Sequence, residues 1–254
     1  MNIFKQFVKS LYSPETIAKF RHQKIGKTIF YVFFFMLIAS IPISIQLGSS
    51  VISFFQQAEK HLAEDLPDFT VDNGILHSEA AEPIHLTSQD YLLIFDASGE
   101  LTPDEIDDQG TVIALLEREV LIQKDSVRRS FGYQEFNFDL SSAAAGEFLQ
   151  TISGSLPLII GILIVFLYLF LTGAKFVGIF ALSLIGLIMN KNKALRYRHS
   201  WTLAAYSATL PTILLTLFDA LRITVPFTFS IYWIIAIVIL HLAFREIPNR
   251  NVEK

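Results

Sequence analysis

The stretch FLTGAKFVGIF, Phe170 to Phe180, decides how the chain is laid out. It places one lysine, Lys175, inside a run of about 35 otherwise uncharged, mostly apolar residues, 155–189. Whether that run crosses a membrane once or twice sets the side on which everything after it lies.

The chain has 254 residues, is 52% hydrophobic and has a mean hydropathy of +0.46. The apolar residues are concentrated. Uncharged runs occupy 28–52, 155–174, 201–218 and 226–244. Each run is near the roughly 20 residues that span a hydrocarbon core of about 30 Å. The composition therefore points to an integral membrane protein. The 28–52 run is longer than the apolar core of a cleaved signal, about 7–15 residues, and reads as an uncleaved anchor.

Charge is equally uneven. Residues 54–152 hold twenty acids and five bases, a net of −15, whereas the remainder carries +11. Residues 1–27 hold six lysines and arginines against Glu15. Short basic flanks stay in the cytoplasm, so the N-terminus is expected inside and the acidic segment outside. The NKNKALRYRH segment, 190–199, is again basic and is expected inside. That favours a single crossing by 155–189, with Lys175 near the inner interface, where its ammonium can snorkel to water. One helix of that length exceeds a crossing, so a break near Gly173 or Gly178, a protrusion or a fold-back is expected. Pro42 and Pro211 are expected to kink spans one and three.

The expected fold class is a membrane α-helical bundle of four spans, with five as the alternative. It carries one small extracytoplasmic, mostly-β (α+β) domain between spans one and two. The divisions are a cytoplasmic basic amphipathic leader (1–27), span one (28–53), the extracytoplasmic acidic domain (54–152) and span two with an extension (153–189). A cytoplasmic basic loop (190–200), span three (201–221), span four (226–244) and a cytoplasmic tail (245–254) follow.

In the leader, Ile3, Phe4, Phe7, Val8 and Leu11 follow helical spacing, and SPET supplies an N-cap serine with proline at the first helical position. A basic amphipathic helix here suits an anionic inner leaflet. In the acidic domain, FTVDNGILHS reads as a hairpin around Asn73-Gly74, and YLLIFDASGELT as a second one around Asp96–Gly99. TVIALLEREVLIQKDS alternates imperfectly and fits strands or a helix, with paired strands favoured, and SSAAAGEFLQTI reads as a helix continuing into span two.

No motif for catalysis, phosphate binding or a dinucleotide is present. The absence of cysteine excludes disulfides and thiol chemistry. The acids of TPDEIDDQG lack EF-hand spacing, and His77 and His85 are isolated, so no metal or other cofactor is expected. Tyr91, Phe131, Tyr133 and Phe136 are the candidate ligand-binding aromatics, suited to the apolar face of a sugar ring. Asp219, Arg222 and His241 are the candidate intramembrane polar residues, with Asp219 and Arg222 one turn apart and able to pair.

The segments SLYSPETIAKFRHQKIGKTIFYVFFFMLIASIP and LRYRHSWTLAAYSATLP, with the single domain between spans, resemble a bacterial membrane-protein family called domain of unknown function eleven eighty-nine. The likeness covers essentially the whole chain. Some members are labelled maltodextrin utilization proteins, which implies a link to carbohydrate uptake. It supplies no active-site residues.

The expected function is a non-enzymatic protein of the cell membrane whose extracytoplasmic domain senses or binds a ligand, possible carbohydrate included, as an accessory to a membrane protein partner. The alternative is a small transporter or channel-like bundle lined by Asp219, Arg222 and His241. No nucleic acid is expected as a partner.

Overall fold

The computed structural model describes residues 1–88, 91–106, 110–124, 127–135, 141–189 and 195–248. The chain divides into two compact units, residues 1–48 with 161–254, and residues 49–160.

The first unit is helical. Helix α1 is Ile3–Ser10, α2 Pro14–Lys19, α3 Ile25–Lys60, α4 Ser142–Met189, α5 Tyr197–Ser207, α6 Thr209–Ala220 and α7 Thr228–Arg245. The helices α3 and α4 begin or end in the second unit. Among the described residues, four helical segments are long and apolar enough to cross a membrane: α3, α4, α5 with α6, and α7.

Helix α4 runs unbroken for 48 residues, so neither Gly173 nor Gly178 interrupts it. An interior glycine weakens a helix by only about 1 kcal/mol, which its apolar neighbours outweigh. Lys175 is held between helices. Its Nζ donates to Thr212 Oγ1 across 3.0 Å and lies 4.3 Å from the centre of the Tyr232 ring.

Helices α5 and α6 meet at Ala208, three residues before Pro211. Proline has no N–H to close the preceding turn. Thr212 Oγ1 donates to the Ala208 carbonyl at 2.6 Å, satisfying one group at that junction.

Asn2 and Ser13 cap α1 and α2 by accepting from the amides of Phe4 and Thr16, with Pro14 opening α2. The leader is more than a surface helix. Gln6, Phe7, Ile17 and Phe20 are buried with α5 and α7 residues, while Phe4 and Val8 remain exposed. Tyr206 stands at the centre: its ring lies 4.1 Å from Tyr31 and 4.5 Å from Phe20, and its hydroxyl donates to Gln6 Oε1 at 2.6 Å. Tyr31 and Thr209 share a hydroxyl contact of 2.7 Å. These polar tips find partners in the core, as burial demands.

The second unit is the inserted domain between the first two long helices. Its strands are β1 Phe69–Asp72, β2 Ile75–Ser78, β3 Ile84–Thr87, β4 Leu92–Phe95, β5 Thr111–Leu115, β6 Glu119–Lys124 and β7 Val127–Gly132. Strands β1 and β2 form the expected hairpin, with Asn73 and Gly74 both at positive φ (52° and 79°), as a two-residue turn requires. The other five form a sheet in the order β3-β4-β5-β6-β7. Strands β5 and β6 pair antiparallel, as the alternation of TVIALLEREVLIQK suggested.

The second expected hairpin does not form. After β4 the chain crosses over and returns as β5, parallel to β4. The cause is local. Asp96, fully buried, accepts from the amides of Ser98, Gly99 and Leu101 and from the Ser98 hydroxyl at 2.6–3.2 Å. Amides held by a carboxylate are lost to a returning ladder. A 3-10 turn at Pro103–Glu105, closed by a Thr102–Glu105 capping box, redirects the chain.

Strand alternation gives the sheet two apolar faces. Ile94, Val112, Ala114 and Leu121 pack with Ile106 on one. Phe95 and Leu115 pack with Phe69, Leu76 and Tyr133 on the other.

Candidate functional site

Leu93, Ile113 and Leu115 leave the second face incompletely filled. A cavity of about 560 Å³ opens there, inside the inserted domain. Its walls are the last turns of α3 (Phe54, Ala58, His61, Leu62, then Leu66), Phe69 of β1, and the first turns of α4 (Ala144, Ala145, Phe148, Leu149). Tyr91 closes one side. The volume lies within the range of small-molecule sites, roughly 300–1,000 Å³. Of the lining side chains only His61 and Tyr91 carry a polar group.

Sequence explains the walls. The α3 tail FFQQAEKHLAEDL places Phe54, Ala58, His61 and Leu62 on one helical face. At its end the helix loosens into a π turn, His61–Asp65, where the Leu66 amide donates to the His61 carbonyl at 2.9 Å. Such turns recur at functional sites because they re-aim side chains.

His61 is the hub of the polar edge. Its Nδ1 lies 2.8 Å from Asp65 Oδ2 and its Nε2 lies 2.8 Å from Ser88 Oγ. An ionised carboxylate only accepts, so Nδ1 carries the proton toward Asp65 and Nε2 is left to accept from the Ser88 hydroxyl. Ser88 is held at the end of β3, its amide donating to the Tyr91 carbonyl at 2.9 Å. The Tyr91 ring stands edge-on to His61, with centroids 6.3 Å apart. Burial pushes the Tyr91 hydroxyl above the usual phenol range, against the opposing contact with the Ser88 hydroxyl.

The candidate aromatics separate. Tyr91 lines the cavity, Tyr133 is buried with Phe69 and Phe95, and Phe131 is exposed on β7. Phe136 lies outside the described residues. In the bundle, Asp219 is exposed in the last turn of α6 and Arg222 is exposed just past its end. The Arg222 amide donates to the Asp219 carbonyl at 3.0 Å with φ 56°, so their link is through the backbone. His241 is exposed on α7. Among the described residues, no three His, Cys, Asp or Glu side chains gather as a metal site would require.

His61, Asp65 and Ser88 were invisible as a set. The i, i+4 spacing of His61 and Asp65 is legible, but Ser88 follows 27 residues later with no motif around it.

A family model described as "Protein of unknown function (DUF1189)" matches residues 4–244. No curated protein and no solved structure matches the chain.

Proposed function

We propose, for a chain that belongs to this DUF1189 family of proteins of unknown function, a four-span protein of the cell membrane whose extracytoplasmic domain binds an apolar chain. The N-terminus and the basic 190–200 loop are cytoplasmic in this reading, because short basic flanks are retained inside. The observation that carries the binding role is the cavity among α3, α4 and the sheet.

Its lining decides the ligand class. A saccharide brings many hydroxyls, each needing a partner once it leaves water. The cavity offers the side chains of His61 and Tyr91, and otherwise hydrocarbon. Each buried methylene of an acyl chain gains about 0.8 kcal/mol there. The carbohydrate link suggested by the family resemblance would therefore require another surface.

The test uses the full chain in lipid nanodiscs and a fluorescent fatty acid that brightens in apolar sites. Saturable binding is expected, displaced by dodecanoate, unaffected by maltoheptaose, and lost when Ile113→Trp fills the cavity. Displacement by maltoheptaose, or undiminished binding to a folded I113W variant, would refute the reading.

A further inference from the structure

Asp65, His61 and Ser88 stand in the order of a nucleophile relay. The carboxylate faces Nδ1 and the hydroxyl faces Nε2, both at 2.8 Å. That constellation is recognised by geometry and roles, on many folds and in any chain order. The imidazole also forms part of the wall of an apolar cavity large enough for an acyl chain. A chain lying in the cavity brings the group at its end to the histidine side of the pocket.

We infer that Ser88 is a nucleophile toward carboxylic esters whose acyl chain occupies the cavity, with His61 as its general base and Asp65 as a positioning residue. This rests on the cavity taking an apolar chain.

The chemistry balances with water as co-reactant. Ser88 Oγ bonds to the ester carbonyl carbon while its proton passes to His61 Nε2. The carbon–alkoxy bond then breaks, the electron pair leaves with the alkoxy oxygen, and His61 returns the proton to it as the alcohol departs. Water, giving a proton to His61, attacks the acyl-Ser88 carbonyl; the bond to Oγ breaks, and Oγ recovers that proton. The products are one acid and one alcohol. Tyr91 borders the Ser88 hydroxyl. Its buried phenol stays protonated and supplies an O–H to the developing oxyanion. Asp65 holds the imidazole in the tautomer that leaves Nε2 free to accept.

The full chain in nanodiscs is incubated with a dodecyl fluorophosphonate, and the modified residue is located by mass spectrometry. Attack on phosphorus expels fluoride and leaves a stable Ser88 adduct. The expected result is an adduct at Ser88, absent in Ser88→Ala. His61→Gln is expected to slow its formation about 100-fold or more, the scale of general-base assistance. Asp65→Asn slows the reaction without changing fatty-acid affinity, and Asp65→Glu restores part of the rate. Site mapping on the unmodified sequence needs no variant to fold. A protein that binds the fluorescent fatty acid yet forms no adduct at Ser88 refutes the nucleophile and leaves the binding reading standing. An adduct whose rate ignores His61→Gln refutes the relay.

Discussion

Lys175 Nζ donates to Thr212 Oγ1 across 3.0 Å and lies over the Tyr232 ring, so the single charge of the longest apolar run is held between helices. The partners are a hydroxyl and a ring face, in place of a carboxylate. Thr212 Oγ1 accepts from the lysine and donates to the Ala208 carbonyl. Removing the ammonium therefore leaves Thr212 still bonded.

Lys175→Met is accordingly expected to shift stability by no more than about 1 kcal/mol, because the desolvation cost of the charge disappears with its contacts. Lys175→Glu places an anion against the ring face and is expected to destabilise severely. Thermal unfolding in nanodiscs, with membrane levels as a control, checks both. A large loss in Lys175→Met would show that the charge itself holds the bundle.

Two glycines of α4 are expected to behave oppositely. A Cβ on Gly186 would collide with Ser200 Oγ and press on Phe244 and Leu240 at 3.2 and 3.3 Å. Ser200 cannot swing away without losing its bond to the Ser183 carbonyl at 2.7 Å. Gly186→Ala should cost about 1–3 kcal/mol through overpacking. Gly178 has open space around its Cα, so Gly178→Ala should be neutral or stabilising by up to about 1 kcal/mol. Melting temperatures of the pair, compared in one preparation, decide the matter.

Asp96 gives the inserted domain an acid sensitivity. Burial alone would raise its pKa, but the hydroxyl and amides that it accepts outweigh burial and hold it below the ordinary carboxylate value of 3.8. A depressed folded pKa means that the stabilisation is fully present above the unfolded value. It is lost as pH falls through the folded one. The melting temperature should therefore drop below about pH 4. Asp96→Asn should lower stability at neutral pH by about 1–3 kcal/mol, since the amide cannot accept at both positions. It should also flatten that acid limb. An unchanged acid limb in Asp96→Asn would remove Asp96 as its source.

The proposed cytoplasmic placement of the segment after α4 is testable because the chain has no cysteine. Asn192→Cys, three residues past the last residue of α4, should resist a membrane-impermeant maleimide in intact cells and react after permeabilisation. Labelling of intact cells would overturn the four-span topology.

Much of the architecture is carried by patterns that need no tertiary contact. Apolar runs of spanning length mark the four long helices, Asn73-Gly74 marks a hairpin because both positions need positive φ, and the alternation across 111–124 marks two paired strands. Such signals are local: the residues that make the pattern also make the element. What failed was equally specific. Asp96-Ala97-Ser98-Gly99 looks like a hairpin turn, yet its carboxylate gathers the following amides and sends the chain across to a parallel strand. Turn residues report a change of direction, and the side chain's choice of partners decides where the chain goes next.

The site belongs mostly to the tertiary structure. Tyr91 was legible as a candidate because an aromatic ring suits an apolar ligand face. Its neighbours were not, because His61 opens the π turn after α3 and Ser88 follows the last residue of β3, and neither sits in a recognisable motif. By itself the sequence determined which segments form helices long and apolar enough to span a membrane, since apolar length depends on composition alone. Only the folded chain decided that Lys175 meets Thr212, and that His61 meets both Asp65 and Ser88 beside an unfilled apolar cavity. Those relationships depend on which faces of distant segments come together, and no local pattern encodes that.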